Sequence, residues 1–171
     1  LDEDLGDAKH GIHTDFELPI VKIKTDDGYE GVGYTYTGGF GGRAICTMIE
    51  YDLKPFLLGK DAASVEKIWE EMQWKIHYVG RGGIASFAIS AIDIALWDIR
   101  AKKAGEPLYK LLGGSFDRTK CYAGAIDLNF SKEKLLKNIE SYLEQGFKAV
   151  KIKLGQQTLK EDIERVEAVR K

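Results

Sequence analysis

A chain of 171 residues, 44% apolar and 30% charged, is long and apolar enough to bury a core, and its formal net charge of −2 sets up no attraction for nucleic acid. No apolar run is long enough to span a membrane and no signal-peptide pattern stands at the visible start, so a cytoplasmic enzyme with neither a nucleic-acid nor a membrane partner is expected. The two cysteines, Cys46 and Cys121, lie far apart in apolar surroundings and read as buried thiols rather than as a disulfide or a metal pair.

In chain order, Glu17 to Lys24 and Glu30 to Tyr36 flank Thr25-Asp26-Asp27-Gly28, which predicts an antiparallel hairpin turning at Gly28. The glycine-rich run Gly38 to Arg43 leads into a helical pattern from Ala44 to Tyr51. Such a run is a loop, a substrate-covering flap or a weak phosphate cradle, without the spacing of a P-loop or a dinucleotide fingerprint. Asp61 is placed to cap a helix over 62–75 whose buried stripe is Val65, Ile68, Trp69 and Met72. A second helix runs from Ile84 to Ala104 and stops at Gly105 with Pro107 beyond; Ala85, Ala88, Ala91 and Ala95 give it a small face for close approach. Asp93 and Asp98 interrupt it on different faces, which favours structural pairing, with Arg100 or Lys102 as partners, over metal ligation.

The last fifty residues alternate differently. Cys121 to Ile126 reads as a strand and Ser131 to Gln145 as a helix with Leu135, Leu136, Ile139, Tyr142 and Leu143 on one side and a stop at Gly146. Phe147 to Leu154 reads as a second strand, and Thr158 with Glu161 forms a capping box ahead of a helix with Ile163, Val166 and Val169. Strand, helix, strand, helix implies parallel strands covered by helices. In the second strand Lys151 and Lys153 share one face while Val150, Ile152 and Leu154 share the other. Alone, that pattern is the wet side of a sheet. In a closed barrel the apolar face meets the helices and the lysines project inward near the strand's C-terminal end. A complete barrel needs about 250 residues, so these two βα units are expected to be the start of one in a longer protein, an expectation that a start at Leu1 suits.

The run Ala88-Ile-Ser-Ala-Ile-Asp-Ile-Ala-Leu-Trp-Asp-Ile-Arg-Ala-Lys102, followed by Pro107 to Gly114, resembles the signature of the mandelate racemase and muconate-lactonizing branch of the enolase superfamily. The likeness extends in order to Gly28–Gly39 (GYEGVGYTYTGG), Gly80–Ala85 (GRGGIA) and the Lys151-x-Lys153 pair, covering the chain from about Asp7. It implies an α+β capping domain, here residues 1–112, followed by the first two βα units of a modified (β/α)7β barrel, residues 113–171.

It also implies a chemistry: removal of the proton α to a carboxylate, with Mg²⁺ stabilising the enediolate. By position Lys153 matches the family's general base and Lys151 its partner, which may be set against the residues' own physics. A base must be neutral, a free lysine with pKa near ~10.4 is not, and a second ammonium roughly 7 Å along the same face disfavours charging both. The family's acidic metal ligands and second acid/base fall on later strands, so Mg²⁺ is expected to be held beyond Lys171, with no metal site within this chain. Glu161 and Asp162 read as a helix's first turn and not as ligands. Weaker substrate candidates are Asp127 and Asn129 past the first barrel strand, Arg43 and Arg81 among glycines, and His13, which with His10 lies in the segment resembling the family's specificity loop. His77 reads as structural. The motifs are most similar to those of hexarate dehydratases such as those acting on galactarate or talarate. The expected activity is thus acid-sugar dehydration by a homo-oligomeric enzyme acting on a small carboxylate, with racemisation, epimerisation or cycloisomerisation as the alternative. A binding-only relative, or an inactive fragment, is the alternative of another class.

Overall fold

The computed structural model describes residues 1–170. In chain order they form β1 (Leu5–Asp7), β2 (Gly11–His13), β3 (Ile20–Lys24), β4 (Glu30–Tyr34), α1 (Gly42–Thr47), a π-helical stretch (Met48–Leu53) and α2 (Lys54–Leu57). There follow α3 (Val65–Lys75), a 3-10 turn (His77–Val79), α4 (Gly83–Ala104), α5 (Leu108–Leu111), β5 (Ala123–Gly124), α6 (Lys132–Glu144), β6 (Val150–Lys151) and α7 (Leu159–Arg170). They fall into two compact units, Phe16–Asp117, and Leu1–Asp15 together with the chain from Arg118 onward. Gly6 bridges in parallel to Asp127, and Gly6 C=O accepts the Leu128 N–H at 3.0 Å, which ties the first fifteen residues into the second unit.

In the unit Phe16–Asp117, β3 and β4 pair from Ile20 opposite Tyr34 to Lys24 opposite Glu30. Gly28 closes the turn at φ 91°, a conformation glycine adopts without steric cost. Past Ile20 the ladder thins because Pro19 has no N–H to donate: its C=O still accepts the Thr35 N–H at 3.1 Å, and the Glu17–Thr37 bridge follows in the same register. Glycine then sets the sheet-to-helix distance. A Cβ on Gly31 would lie 2.1 Å from the Ala95 carbonyl oxygen, and one on Gly33 would lie 2.0 Å from that of Ala91. The small face of α4 thus lies directly on β4, as its alanine spacing predicts. Ile45, Leu53, Val65, Ile68, Met72, Ile89, Ile92 and Leu96 fill the core.

Several sequence expectations shift. The Asp61 carboxylate accepts the Ala63 N–H and the Ser64 hydroxyl, so it shapes the turn ahead of α3 and the helix starts at Val65 instead of residue 62. Trp69 is 47% exposed, because Val65, Ile68 and Met72 already occupy the inward stripe. Cys46 and Cys121 are exposed, not buried: Cys46 follows the inward Ile45 on α1, and Cys121 belongs to the exposed run 112–122. Asp98 accepts from Lys102 Nζ at 2.7 Å and from the Val32 N–H at 2.9 Å, the structural role expected of it, whereas Arg100 pairs with Glu66. Burial, and secondarily the charge of Glu66, push the Asp93 carboxyl above its ordinary value.

The glycine-rich run is held by a carboxylate. Glu17 Oε2 accepts the Gly42 N–H at 2.6 Å and the Thr37 hydroxyl at 2.8 Å, so the amide that a phosphate cradle would need is bound by the protein's own anion. The Gly42 N–H first, and then the Thr37 hydroxyl, lower the Glu17 carboxyl below its ordinary value of 4.5.

Two outcomes follow for stability. Gly33→Val forces side-chain atoms into the Ala91 peptide and is expected to destabilise the protein by about 3 kcal/mol or more, read by urea denaturation. Because the Glu17 carboxyl is depressed in the folded state, its contribution is present above about pH 4.5 and is lost as pH falls further. Melting temperature should therefore drop more steeply below that pH in the wild type than in Glu17→Gln; parallel curves would remove Glu17 from this role.

Candidate active site at the ends of two parallel strands

β5 and β6 are parallel, with Ala123 opposite Val150 and Gly124 opposite Lys151. The helix between them is bounded by chemistry legible in the sequence. Ser131 Oγ accepts the Lys134 N–H at its start, and Leu135 and Ile139 are its buried face. At its end Gly146, at φ 92°, donates to Leu143 C=O while the Phe147 N–H reaches Tyr142 C=O, with the Tyr142 and Phe147 rings in edge contact. This is the paired Schellman closure with its apolar contact.

The lysine strand is shorter than the predicted Phe147 to Leu154 run. Only Val150 and Lys151 sit in the ladder, because beyond Lys151 the backbone bonds go to side chains. The Lys153 N–H donates to Asp127 Oδ1 at 2.8 Å, and the Lys153 C=O accepts from Arg165 Nε at 3.1 Å. Arg165 Nη2 also reaches Asp127 Oδ1 at 3.1 Å and the Asp127 C=O at 2.5 Å, and its Nη1 reaches the Phe130 C=O at 3.4 Å. Both side chains are buried, Arg165 at 7% and Asp127 at 3% exposure. A buried ion pair thus grips the peptide groups on either side of the Lys153 Cα.

Lys153 is half-buried and Lys151 exposed. Lys151 runs over Gly124 of the neighbouring strand: a Cβ there would lie 3.0 Å from Lys151 Cε. Asp127, anticipated as a substrate contact, faces inward and holds the strand ends together. Asn129 Nδ2 donates to the Asp4 C=O at 2.9 Å, and its side chain packs where a Cβ on Gly6 would be, tying the N-terminal segment to the same end. The β1–β2 hairpin closes on it as well, since a Cβ on Gly155 would meet Ala8 Cβ at 2.3 Å. That hairpin carries His13, whose Nε2 lies 3.6 Å from Asp7 Oδ2. Lys151, Lys153, Asp127, Asn129 and His13 therefore belong to one unit, whereas Arg43, in the first turn of α1, and Arg81, ahead of α4, are exposed residues of the other. His77 contacts the Trp74 and Tyr78 rings, and its Nδ1 lies 2.9 Å from the Trp74 C=O, a structural setting.

Arg165 escaped the sequence reading. It stands between Asp162 and Val169 at helical spacing, on the side of α7 that faces inward, and it is the buried residue of that helix, while the expected Ile163 is half-exposed. Its signal was a charge placed on the inward stripe. The Thr158–Glu161 capping box forms as predicted, with Thr158 N–H to Glu161 Oε2 at 2.8 Å and Glu161 N–H to Thr158 Oγ1 at 3.3 Å. Asp162 accepts from the Gly155 and Gln156 amides. Neither acid is presented to an ion. Among the described residues the cluster of metal-ligand type is Asp7, His10 and His13. Mg²⁺ takes oxygen ligands in an octahedron, so a set with two imidazoles does not fit it.

The sequence profile of the mandelate racemase / muconate lactonizing enzyme N-terminal domain matches residues 8–113. A 3,6-anhydro-alpha-L-galactonate cycloisomerase of Streptomyces coelicolor is 49% identical over 97% of this chain and 46% of its own length. An L-talarate/galactarate dehydratase of Salmonella typhimurium is 42% identical over 92% of the chain and 39% of its own length. Among solved structures, a racemase from Streptomyces coelicolor with bound magnesium superposes with TM-score 0.96 at 49% identity, over 99% of this chain and 48% of that one. The Salmonella typhimurium dehydratase liganded with Mg and L-lyxarohydroxamate gives TM-score 0.93 at 39% identity, over 99% and 45%. The chain spans about half the length of the curated relatives it matches.

Arg165→Leu leaves the Asp127 carboxylate buried without its counter-charge and is expected to cost about 3–5 kcal/mol in the whole protein. The Lys153 amide should at the same time exchange faster with solvent deuterium. Unchanged stability and unchanged exchange would show that the pair does not hold the strand end.

Proposed function

We propose, given that this chain belongs to the mandelate racemase / muconate lactonizing enzyme family, that the whole protein removes the proton α to the carboxylate of an acid sugar and dehydrates it. The observation that carries the reading is the clamped peptide of Lys153, which sets the side chain's direction at the C-terminal end of a parallel strand with Lys151 two residues away. That is the strand end at which β/α barrels perform their chemistry.

In this reading the amine of Lys153 takes the α-proton, and the C–H electron pair delocalises into the adjacent carboxylate. The β C–O bond then breaks as an acid from outside this chain protonates the departing hydroxyl, and the resulting enol tautomerises to a 2-keto acid. Lys151 binds a carboxylate oxygen. His13 and Asn129 border the same strand ends and contact polar groups of the sugar chain. Mg²⁺ belongs to the whole protein and is held by residues outside these. The enzyme is a cytoplasmic homo-oligomer; no helix among the described residues is long and apolar enough to cross a membrane.

A second reading rests on a specific observation: the relative sharing 49% identity is called a cycloisomerase, and a solved structure of the same identity a racemase. Both reactions begin with the same proton removal.

With Mg²⁺ present, the whole protein is expected to convert at least one member of a panel of aldaric and aldonic acids to a 2-keto acid that reacts with semicarbazide. Lys153→Ala should abolish turnover while leaving substrate binding within about tenfold. α-Proton exchange without keto-acid formation would select racemisation or cycloisomerisation. Substrate binding without exchange would select a non-catalytic relative, and full activity in Lys153→Ala would remove Lys153 as the base.

A further inference from the structure

The β1–β2 hairpin brings three metal-ligating side chains to one point. Asp7 and Gly11 are directly opposite, and His13 lies diagonally from Asp7 on the same face, two residues beyond a glycine that has no side chain to fill the gap. Gly11, at φ 77°, turns the three-residue loop and returns His10 over Asp7. The carboxylate is divided between two tasks. Asp7 Oδ1 accepts the Lys9 N–H at 2.8 Å and the His10 N–H at 2.7 Å and lies 3.2 Å from His10 Nδ1, while Oδ2 lies 3.0 Å from His10 Nδ1 and 3.6 Å from His13 Nε2. The ligand atoms of all three residues lie within 4.8 Å of one another.

From this geometry we infer that Asp7, His10 and His13 form a binding site for one borderline divalent cation of the Zn²⁺ class. A tetrahedral ion with ligands at about 2.0–2.2 Å separates adjacent donor atoms by about 3.3–3.6 Å; the observed 3.6 Å matches that edge and the observed 3.0 Å is slightly shorter. Two imidazoles and one carboxylate are a donor set that zinc takes in three-ligand sites, leaving the fourth position open to water or to an anionic ligand. Imidazole nitrogen discriminates against Mg²⁺. The turn fixes the Asp7 carboxylate through Oδ1 and leaves Oδ2 toward both rings, so the site is preorganised by backbone groups that no metal has to displace. This inference does not depend on the proposed dehydration. It concerns a second cation, held by the hairpin that Gly155 and Asn129 tie to the lysine-bearing strand ends.

The test is a titration of the whole protein with Co²⁺ in excess Mg²⁺, which saturates oxygen-ligand sites, followed by visible d–d absorption, with Zn²⁺ calorimetry in parallel. One equivalent of Co²⁺ is expected to bind with the absorption of a four- or five-coordinate nitrogen-containing site and to be displaced by Zn²⁺. His10→Ala, an exposed position that the fold tolerates, should weaken binding by about tenfold or more, and Asp7→Asn and His13→Gln should do likewise. No binding beyond the Mg²⁺-saturated sites overturns the inference. So does an equivalent that keeps its affinity and spectrum in His10→Ala and Asp7→Asn, since the ion would then lie elsewhere.

Discussion

Arg165 and Asp127 are two charges taken out of water at the end of a sheet only two residues deep. Such a burial costs free energy unless every donor and acceptor is met, and here the guanidinium meets the carbonyls of Asp127, Phe130 and Lys153 as well as the carboxylate. Those carbonyls lie past the last ladder bond, where a longer strand would have supplied partners. The pair replaces the missing rungs with a cross-brace from α7 to both strand ends. Lys153 inherits its orientation from that brace, since both of its flanking peptide groups are held. Removing either charge would expose the cost of the other, and this makes the lysine's placement and the local fold one problem.

Absent side chains are the second device. Gly31 and Gly33 let the backbone of α4 lie on β4, so that the alanine face is matched by a strand without Cβ atoms there. In the other unit Gly124 gives the stem of Lys151 a path over the neighbouring strand, and Gly155 and Gly6 admit Ala8 and Asn129. These approaches are set by van der Waals radii, and a single methyl group at Gly31, Gly33 or Gly155 would have to push backbone or side chain aside.

The N-terminal hairpin extends the same economy. Its bridge from Gly6 to Asp127 and the Asn129 bond to Asp4 carry residues distant in sequence to the ends of β5 and β6. A short two-stranded ribbon is marginal alone, so its conformation depends on this docking, and with it the convergence of Asp7, His10 and His13.

Local rules made much of this legible in the sequence. The hairpin at Gly28, the α4 boundaries, the capping box at Thr158 and the stop at Gly146 each follow from backbone chemistry within a few residues. The signature along α4 and the Lys151-x-Lys153 spacing identified the family and its expected base, because spacing on a helix or strand translates directly into a shared face. What the tertiary structure alone decided was which distant groups meet. It exposed Cys46, Cys121 and Trp69, turned Asp127 inward and gave it Arg165, and tied the first fifteen residues into the second unit. The physical reason is that a buried charge or an exposed thiol is set by partners dozens of residues away, and no periodicity along the chain records a partner that only folding brings near.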